Sequence, residues 1–427
     1  MIMENDTAYQ ISAANVRFGP GVTREVGMDL SDLGARRTLV LIDPALRALS
    51  VGEVVIEALR GAHVSFEVFD RIAVEPTDRS FQEAIEAATA DQFDSFVAVG
   101  GGSTMDTAKA ANLYSTYPAD FLDYVNAPIG KGLPVPGPVK PLIAIPTTAG
   151  TGSETTGVAI FDYLEQRAKT GIAHRYLKPT LGLVDPENTR SLPPAVAAAA
   201  GLDVLSHALE SYTAAPYNVR PRPARPLERP AYQGSNPISD IWALRALELV
   251  NGYLLRAVGD SSDDEARGQM LLAAAMAGIG FGNAGVHLPH GMSYPVAGMV
   301  RSYRYPGYAV DHPLIPHGIS VILHTPAVVR FTAPAAPERH LRAAAMLGAA
   351  VTDAAPEAAG EILASRITEL MRSLEMPNGL EAVGYTEADI PALVEGTLPQ
   401  HRVTKLSPIP AGRDELTALF RASLRIW

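Results

Sequence analysis

The chain contains no cysteine among its 427 residues, which excludes disulfide bonds, thiolate nucleophiles and cysteine-ligated zinc. Basic residues are also scarce, because 35 lysines and arginines face 46 aspartates and glutamates, giving a net charge of −11. An acidic surface repels a phosphate backbone, so a nucleic-acid partner is not expected.

Long apolar runs are missing as well. No stretch reaches the roughly 20 apolar residues that cross a bilayer. Residues 1–15 are polar and lack the basic and then apolar pattern of a secretory signal. We therefore expect no membrane partner and a cytoplasmic location, or the mitochondrial matrix in a eukaryote after removal of a targeting segment.

The sequence divides into two parts of different character. Up to residue 193, short apolar runs such as 38–42 and 96–99 alternate with helical patterns, which predicts an α/β domain with a parallel, doubly wound sheet. From residue 194 onward, alanine and leucine recur at helical spacing. We predict a nucleotide-binding domain over 1–193 and an all-α domain over 194–427 that carries the metal and the substrate.

Glycine-rich and acidic positions in the first part suggest a nucleotide site. Gly100-Gly101-Gly102-Ser103 follows a predicted strand and opens a predicted helix, whose free N–H groups suit a phosphate. The pattern matches neither G-x-G-x-x-G nor a Walker A loop, and a plain strand-to-helix turn is the alternative. Asp43 ends another strand, where an acid commonly accepts a ribose hydroxyl and repels a 2′-phosphate, which favours NAD over NADP. A turn or cap residue is the alternative there.

A loop rich in hydroxyl groups, residues 146–154 (PTTAGTGSE), follows a further predicted strand. Its side chains can hydrogen-bond a nucleotide or a ribose. An ordinary polar loop is the less favoured interpretation, because the density of threonine and glycine is high.

Acidic and imidazole side chains in the second part indicate a metal site. Asp203 and His207 stand at i and i+4 in a predicted helix, which places both on one face. Five of the ten histidines fall between His287 and His324, and His290 and His317 each precede a glycine that we interpret as letting the chain turn beside a ligand. A lone histidine is usually structural, but one carboxylate with three imidazoles suits a divalent ion such as Fe²⁺ or Zn²⁺.

These motifs resemble those of the iron-containing (group III) alcohol dehydrogenases over nearly the whole chain. The resemblance rests on GGGSTMDTAKAANLY, PTTAGTGSETT, GLDVLSHALESYT, HLPHGMSYP and PHGIS. Further segments, including MENDTAY, VEPTDRSF and RPAYQGSNPISDIWA, resemble the transhydrogenase branch of that family, whose members move hydride between a hydroxy acid and an oxoacid. The resemblance implies an α/β nucleotide-binding domain, a helical domain of the kind shared with dehydroquinate synthase, and a metal in the cleft between them.

The resemblance also implies roles for individual residues. The implied metal ligands are Asp203, His207, His290 and His317, with Fe²⁺ favoured and Zn²⁺ as the alternative. The implied NAD contacts are Asp43 at the adenosine ribose, Gly101, Gly102 and Ser103 at the pyrophosphate, Asp106, Thr147, Thr148 and Thr151 along the cofactor, and Lys169 near the nicotinamide ribose. Tyr294 stands where many members have a second histidine that helps to move protons. The resemblance therefore leaves the proton route undecided, and the Tyr294 hydroxyl is the candidate group for proton transfer.

The function implied for this branch is oxidation of 4-hydroxybutyrate to succinic semialdehyde with reduction of 2-oxoglutarate to 2-hydroxyglutarate through bound NAD. The main alternative is an NAD-dependent alcohol dehydrogenase that acts on a small primary alcohol. A metal-dependent lyase of the dehydroquinate synthase type is disfavoured by the His-Gly-Met segment and the threonine-rich loop, and a non-catalytic role would need a broken ligand set. We expect small-molecule hydroxy acids, oxoacids or alcohols as partners, and a homo-oligomer.

Two loops interrupt the helical part, at 216–237 and 301–316. Both carry arginines, whose planar fork suits a substrate carboxylate. The candidates are Arg220, Arg222, Arg225, Arg229, Arg301 and Arg304. Solvated surface charge is the alternative for each of them.

Overall fold

The computed structural model describes residues 4–166 and 168–427, which form two compact units. The first, the α/β unit, contains a six-stranded sheet whose paired strands are all parallel, in the order β1-β8-β5-β4-β2-β3. A separate antiparallel hairpin, β6–β7, was not predicted. The strands are Asn15–Phe18 (β1), Arg37–Ile42 (β2), Ser65–Phe69 (β3), Ser95–Gly100 (β4), Leu142–Pro146 (β5), Val158–Tyr163 (β6), Ala168–Ala173 (β7) and Leu181–Val184 (β8).

Both faces of the sheet are buried, as the near-continuous apolar strands require. Along β4, Phe96 and Ala98 pack into one core, whereas Val97 and Val99 pack into the other. Helices cover these faces. Those before residue 193 are Val26–Asp32 (α1), Ser50–Gly61 (α2), Asp78–Thr89 (α3) and Gly102–Thr116 (α4). The predicted α/β architecture is therefore confirmed.

The second unit, the helical unit, is built from helices of very different lengths. They are Pro194–Thr213 (α5), Pro237–Gly259 (α6), Asp264–Ala284 (α7), Leu288–Gly298 (α8), His317–Ile322 (α9), Thr325–Thr332 (α10), Pro337–Met346 (α11), Ala359–Ser373 (α12), Ile390–Thr397 (α13), His401–Thr404 (α14) and Arg413–Ser423 (α15), of which α7 begins in the α/β unit. Proline occupies the first turn of several of these helices, where no backbone N–H is needed.

The sequence predicts one boundary between the units, after residue 193. In the structure, the chain passes from one unit to the other several times. Residues 4–12 belong to the helical unit, because the Asp6 carboxylate pairs with Arg220 and Arg229 there. Residues 261–278 belong to the α/β unit, where the Arg267 guanidinium donates to backbone carbonyls at Thr189 and Leu192.

In the described ranges, no helix by itself has both the length and the apolar composition to cross a bilayer. Helices α7 and α8 satisfy that test only when taken together, across a bend of 104°.

Candidate metal and cofactor sites

Asp203 and His207 lie one turn apart on helix α5 and are both buried. The Asp203 Oδ2 and His207 Nδ1 atoms are 3.6 Å apart, as the i, i+4 spacing predicts. The His207 ring stacks on Phe281, with centroids 4.0 Å apart and planes 8° from parallel. Packing thus holds the imidazole in one orientation beside the carboxylate.

Two more helices bring histidines to the same point. His290 on α8 and His317 at the start of α9 place their Nε2 atoms 3.7 and 3.8 Å from Asp203 Oδ1. One donor atom from each of Asp203, His207, His290 and His317 lies within 4.8 Å of the other three. The structure therefore brings together all four residues that the sequence singled out as ligands.

The glycines after His290 and His317 do not act as turn residues, and that part of the sequence interpretation was wrong. Both lie inside helices, α8 and α9. Their role is close packing, because a Cβ on Gly318 would lie 2.0 Å from the Ala199 carbonyl oxygen of α5, and one on Gly291 would lie 2.6 Å from Thr404 Cγ2. Gly318 thus lets α9 approach α5 closely enough for His317 to reach Asp203.

Glu210, which sequence reasoning missed, is buried on α5 behind His290. Its Oε1 lies 2.5 Å from His290 Nδ1, and its Oε2 accepts the His287 backbone N–H at 2.7 Å. A histidine ligand commonly donates its second ring N–H to such a carboxylate. The signal was present in the sequence, since Glu210 stands seven residues after Asp203 and shares its helix face.

Burial and neighbouring charge set the protonation of this cluster. Burial, then the charges of His290 and His317, hold the pKa of His207 well below its usual range. Burial alone would raise the pKa of Glu210, but the charge and hydrogen bond of His290 outweigh it and lower that pKa. His207 is therefore a neutral imidazole at neutral pH, which is the form that binds a metal.

In the α/β unit, the predicted cofactor residues gather at the carboxyl edge of the sheet. The chain leaves β2 for β3 on one side and returns to β4 on the other, so the gap between β2 and β4 is a topological switch point, where ligands of open α/β sheets bind. Asp43 follows β2, and the glycine turn follows β4.

The glycine turn and the threonine-rich loop touch each other. A Cβ on Gly101 would lie 3.1 Å from Thr148 Oγ1, and one on Gly102 would lie 2.6 Å from Thr151 Cγ2. Helix α4 starts at Gly102, so its first backbone N–H groups lie at this edge. Thr147, which is buried, follows β5 beside the same turn and donates its backbone N–H to the Gly100 carbonyl.

Three other predicted cofactor residues, Asp43, Asp106 and Lys169, already have partners inside the fold. Asp43 Oδ1 accepts the Ala45 backbone N–H at 2.9 Å, and burial raises the pKa of its carboxyl. Asp106 accepts hydrogen bonds from Ser153 Oγ at 2.6 Å and from the Ile160 backbone N–H at 2.9 Å.

Lys169, on β7, is buried between two carboxylates. Its Nζ lies 2.7 Å from Glu75 Oε2 and 3.1 Å from Asp162 Oδ1. Burial opposes the charge, but these carboxylates raise the pKa of Lys169 above its usual range. Ser103 connects to the same group, because its Oγ accepts the Glu75 backbone N–H at 3.2 Å.

Comparison with known proteins decides the family. A profile described as iron-containing alcohol dehydrogenase matches residues 13–186, and one described as Fe-containing alcohol dehydrogenase family, C-terminal, matches residues 228–424. The chain belongs to the iron-containing alcohol dehydrogenase family. It is therefore an oxidoreductase, and the family resemblance stated from the motifs is confirmed.

The chain is also similar to individual proteins of known name or structure. The chain is 58% identical over 426 residues to "Hydroxyacid-oxoacid transhydrogenase, mitochondrial" of Xenopus tropicalis, covering 99% of this chain and 92% of that protein. Among solved structures, it is similar to 1,3-propanediol oxidoreductase, with TM-score 0.85 and 27% identity, over 97% of this chain and 100% of the other. It is also similar to sulfoacetaldehyde reductase from Bifidobacterium kashiwanohense in complex with NAD⁺, with TM-score 0.80 and 27% identity, over 98% and 99% of the two chains.

Tyr294, the predicted departure from the family pattern, is buried on α8. Its hydroxyl accepts a hydrogen bond from Arg402 Nη2 at 3.2 Å. The Arg402 guanidinium also lies over the ring of Tyr232, 4.9 Å from its centroid. Sequence reasoning did not single out Arg402, which is separated from Tyr294 by more than a hundred residues.

Most of the loop arginines offered as carboxylate binders have partners within the protein. Arg220 and Arg229 both pair with Asp6, at 2.7 and 2.9 Å. Arg301 pairs with Asp389 at 2.9 Å. Arg222 lies 3.5 Å from Glu4, and Arg304 donates to backbone carbonyls at Val310 and Asp311. These contacts tie down the chain segments that carry the arginines.

Proposed function

We propose that this protein is a hydroxyacid-oxoacid transhydrogenase that uses bound NAD and a divalent metal ion. The pair implied by the sequence resemblance is 4-hydroxybutyrate with 2-oxoglutarate. The observation that carries the proposal is the 58% identity, over 99% of the chain, to the Xenopus tropicalis transhydrogenase. The NAD⁺ complex of the similar sulfoacetaldehyde reductase supports the choice of cofactor.

The four residues on α5, α8 and α9 fit a divalent ion. They offer one carboxylate and three imidazoles, a donor set that suits first-row metals. The His207 Nδ1 and His290 Nε2 atoms are buried without a hydrogen-bond partner, an arrangement that is costly unless a ligand satisfies them. We propose Fe²⁺, in keeping with the family name, with Zn²⁺ as the alternative because it binds such sites more tightly.

The ion would supply Lewis acidity to the substrate oxygen, and NAD would accept and return the hydride. Glu210 holds the His290 ring so that Nε2 faces Asp203, and Phe281 holds the His207 ring by stacking. Tyr294 lies one helical turn from His290, and we assign its Oη atom to the passage of the carbinol proton.

The carboxyl edge of the sheet is the proposed NAD site. Its glycine turn and helix N-terminus would hold the pyrophosphate, with Gly101, Gly102 and Ser103 as the contacts. Asp43 would bind the adenosine ribose, and the cofactor would also be lined by Asp106, Thr147, Thr148, Thr151 and Lys169. Because the Lys169 ammonium group is already ion-paired with Glu75 and Asp162, we assign it a role in positioning the residues that line the cofactor site.

An assay with and without added NAD tests this function. The purified protein should convert 4-hydroxybutyrate and 2-oxoglutarate without added NAD, because the reduced cofactor is reoxidised in place. A 2-hydroxyglutarate yield that appears only when NAD is added, or release of NADH in proportion to the alcohol oxidised, would contradict the proposal. That result would favour the alternative, an NAD-dependent alcohol dehydrogenase, which the similarity to 1,3-propanediol oxidoreductase supports.

Compartment and assembly are further parts of the proposal. The Xenopus tropicalis relative carries the word mitochondrial in its name. We propose the mitochondrial matrix for a eukaryotic source and the cytoplasm otherwise. We also propose a homo-oligomer, which light scattering of the purified protein would test.

A further inference from the structure

Arg402 on helix α14 has an unusual environment for a guanidinium. Its Nη1 atom is buried and makes no hydrogen bond. In the described ranges, the guanidinium has hydrogen bonds with the side chains of Tyr294 and Tyr232 and lies over the Tyr232 ring, with no carboxylate paired to it. A buried cation without an anion carries a large desolvation cost, so the arrangement is best explained by an anion that binds there.

Arg402 lies beside the candidate metal ligands. Tyr294 follows His290 by four residues on α8, so both side chains project from one face of that helix.

Close packing fixes the position of Arg402. Gly291, next to His290, has no Cβ, and this allows Val403 and Thr404 of α14 to lie directly against α8. On the other side, Tyr232 contacts the Phe281 ring, which stacks on His207. A continuous set of aromatic contacts therefore runs from Arg402 to the ligands.

We infer that Arg402 binds the carboxylate of the substrates and so determines selectivity for acids over plain alcohols. This inference rests on the proposed function, since both a hydroxy acid and an oxoacid carry a carboxylate. One guanidinium can serve both half-reactions, because the two substrates occupy the same site in turn. The planar fork leaves Nη1 for the substrate while Nη2 is held by Tyr294.

The test compares Arg402→Gln and Arg402→Lys with the same Gln change at Arg342, an exposed arginine on α11. Each is assayed with 4-hydroxybutyrate and with butan-1-ol, its counterpart without the carboxylate, in the presence of added NAD. Arg402→Gln should lose roughly 30- to 150-fold in kcat/KM for the acid, mainly through KM, and less than about threefold for the alcohol. Arg402→Lys should fall between, and Arg342→Gln should match the unaltered protein.

A second measurement needs no turnover. Glutarate, an unreactive dicarboxylate, should bind the unaltered protein in calorimetry and bind Arg402→Gln more weakly by a similar factor. Equal losses for acid and alcohol would overturn the inference, and so would equal glutarate binding, or none, in both proteins. If Arg402→Gln does not fold, the Lys variant carries the same comparison. A protein that discriminates acids through Arg402 but fails to turn over without added NAD would refute only the proposed function.

Discussion

The Glu210 carboxylate lies 2.5 Å from Nδ1 of His290, and this contact leaves the opposite ring nitrogen facing Asp203. The side chain of His290 is thus oriented from behind by a residue that is not itself among the four candidate ligands. Such outer carboxylates fix both the tautomer and the direction of a histidine ligand.

Glu210→Gln should weaken metal binding without abolishing it. The amide occupies the same space but lacks the charge, so His290 is oriented less firmly, and we expect a loss on the order of 10- to 100-fold in metal affinity. Competition with a chromogenic chelator measures it. The control is Glu248→Gln. Glu248 forms an exposed ion pair with Arg245 on α6, and its substitution should leave the metal affinity unchanged.

His290→Ala should remove the metal and the turnover together, because it deletes one of the donor atoms. Elemental analysis after purification checks this expectation. His312→Ala, an exposed histidine beside Asp311, should retain the metal. Unchanged metal content in the His290 variant would show that the ligand set has been assigned wrongly.

Asp43→Ala should relax the preference for NAD over NADP. The carboxylate lies at the carboxyl end of β2 and would repel a 2′-phosphate. The ratio of kcat/KM for the two cofactors measures the effect, with Asp32→Ala, at an exposed residue at the end of α1, as the control. Equal kinetics of the unaltered protein with NAD and NADP would refute this role for Asp43.

His324 should make the protein less stable as the pH falls. The side chain is fully buried against Phe420 without hydrogen bonds at either ring nitrogen, and burial lowers its pKa to about 3. Below pH 6.5 the unfolded chain therefore binds a proton that the folded chain does not, so stability is lost on acidification. At pH 5 this loss is about 2 kcal/mol.

Chemical denaturation at pH 7 and pH 5 tests that expectation. In His324→Leu the difference in unfolding free energy between the two pH values should be smaller by about 2 kcal/mol than in the unaltered protein. The same change at exposed His312 should leave the difference as it is. Because both proteins share the metal ligands, any acid-induced release of metal cancels in this comparison.

Local patterns in the sequence predicted the parts of the protein that depend on local spacing. The i, i+4 pair of Asp203 and His207 follows from helical spacing, and five of the six strands of the parallel sheet follow from short apolar runs, whereas β1 was not predicted. The hairpin β6–β7 was missed, since its pairing of Asp162 with Lys169 spans a turn without a strong glycine or proline signal.

Contacts between distant segments could not be predicted in this way. Lys169 pairs with Glu75, which has a left-handed backbone with φ of 52°, and the two residues are 94 positions apart. Arg402 and Tyr294 are 108 positions apart and meet because Gly291 lets two helices pack closely. No periodic pattern in the sequence predicts a contact between residues so far apart in the chain.

The docking of residues 4–12 has a consequence for synthesis of the chain. Asp6 pairs with Arg220 and Arg229, and Ser12 exchanges hydrogen bonds with the Asn283 side chain. During synthesis, residues 4–12 therefore wait for partners that are made more than two hundred residues later. While strands of the α/β unit can begin to pair during translation, residues 4–12 can dock only after Arg220, Arg229 and Asn283 have been made.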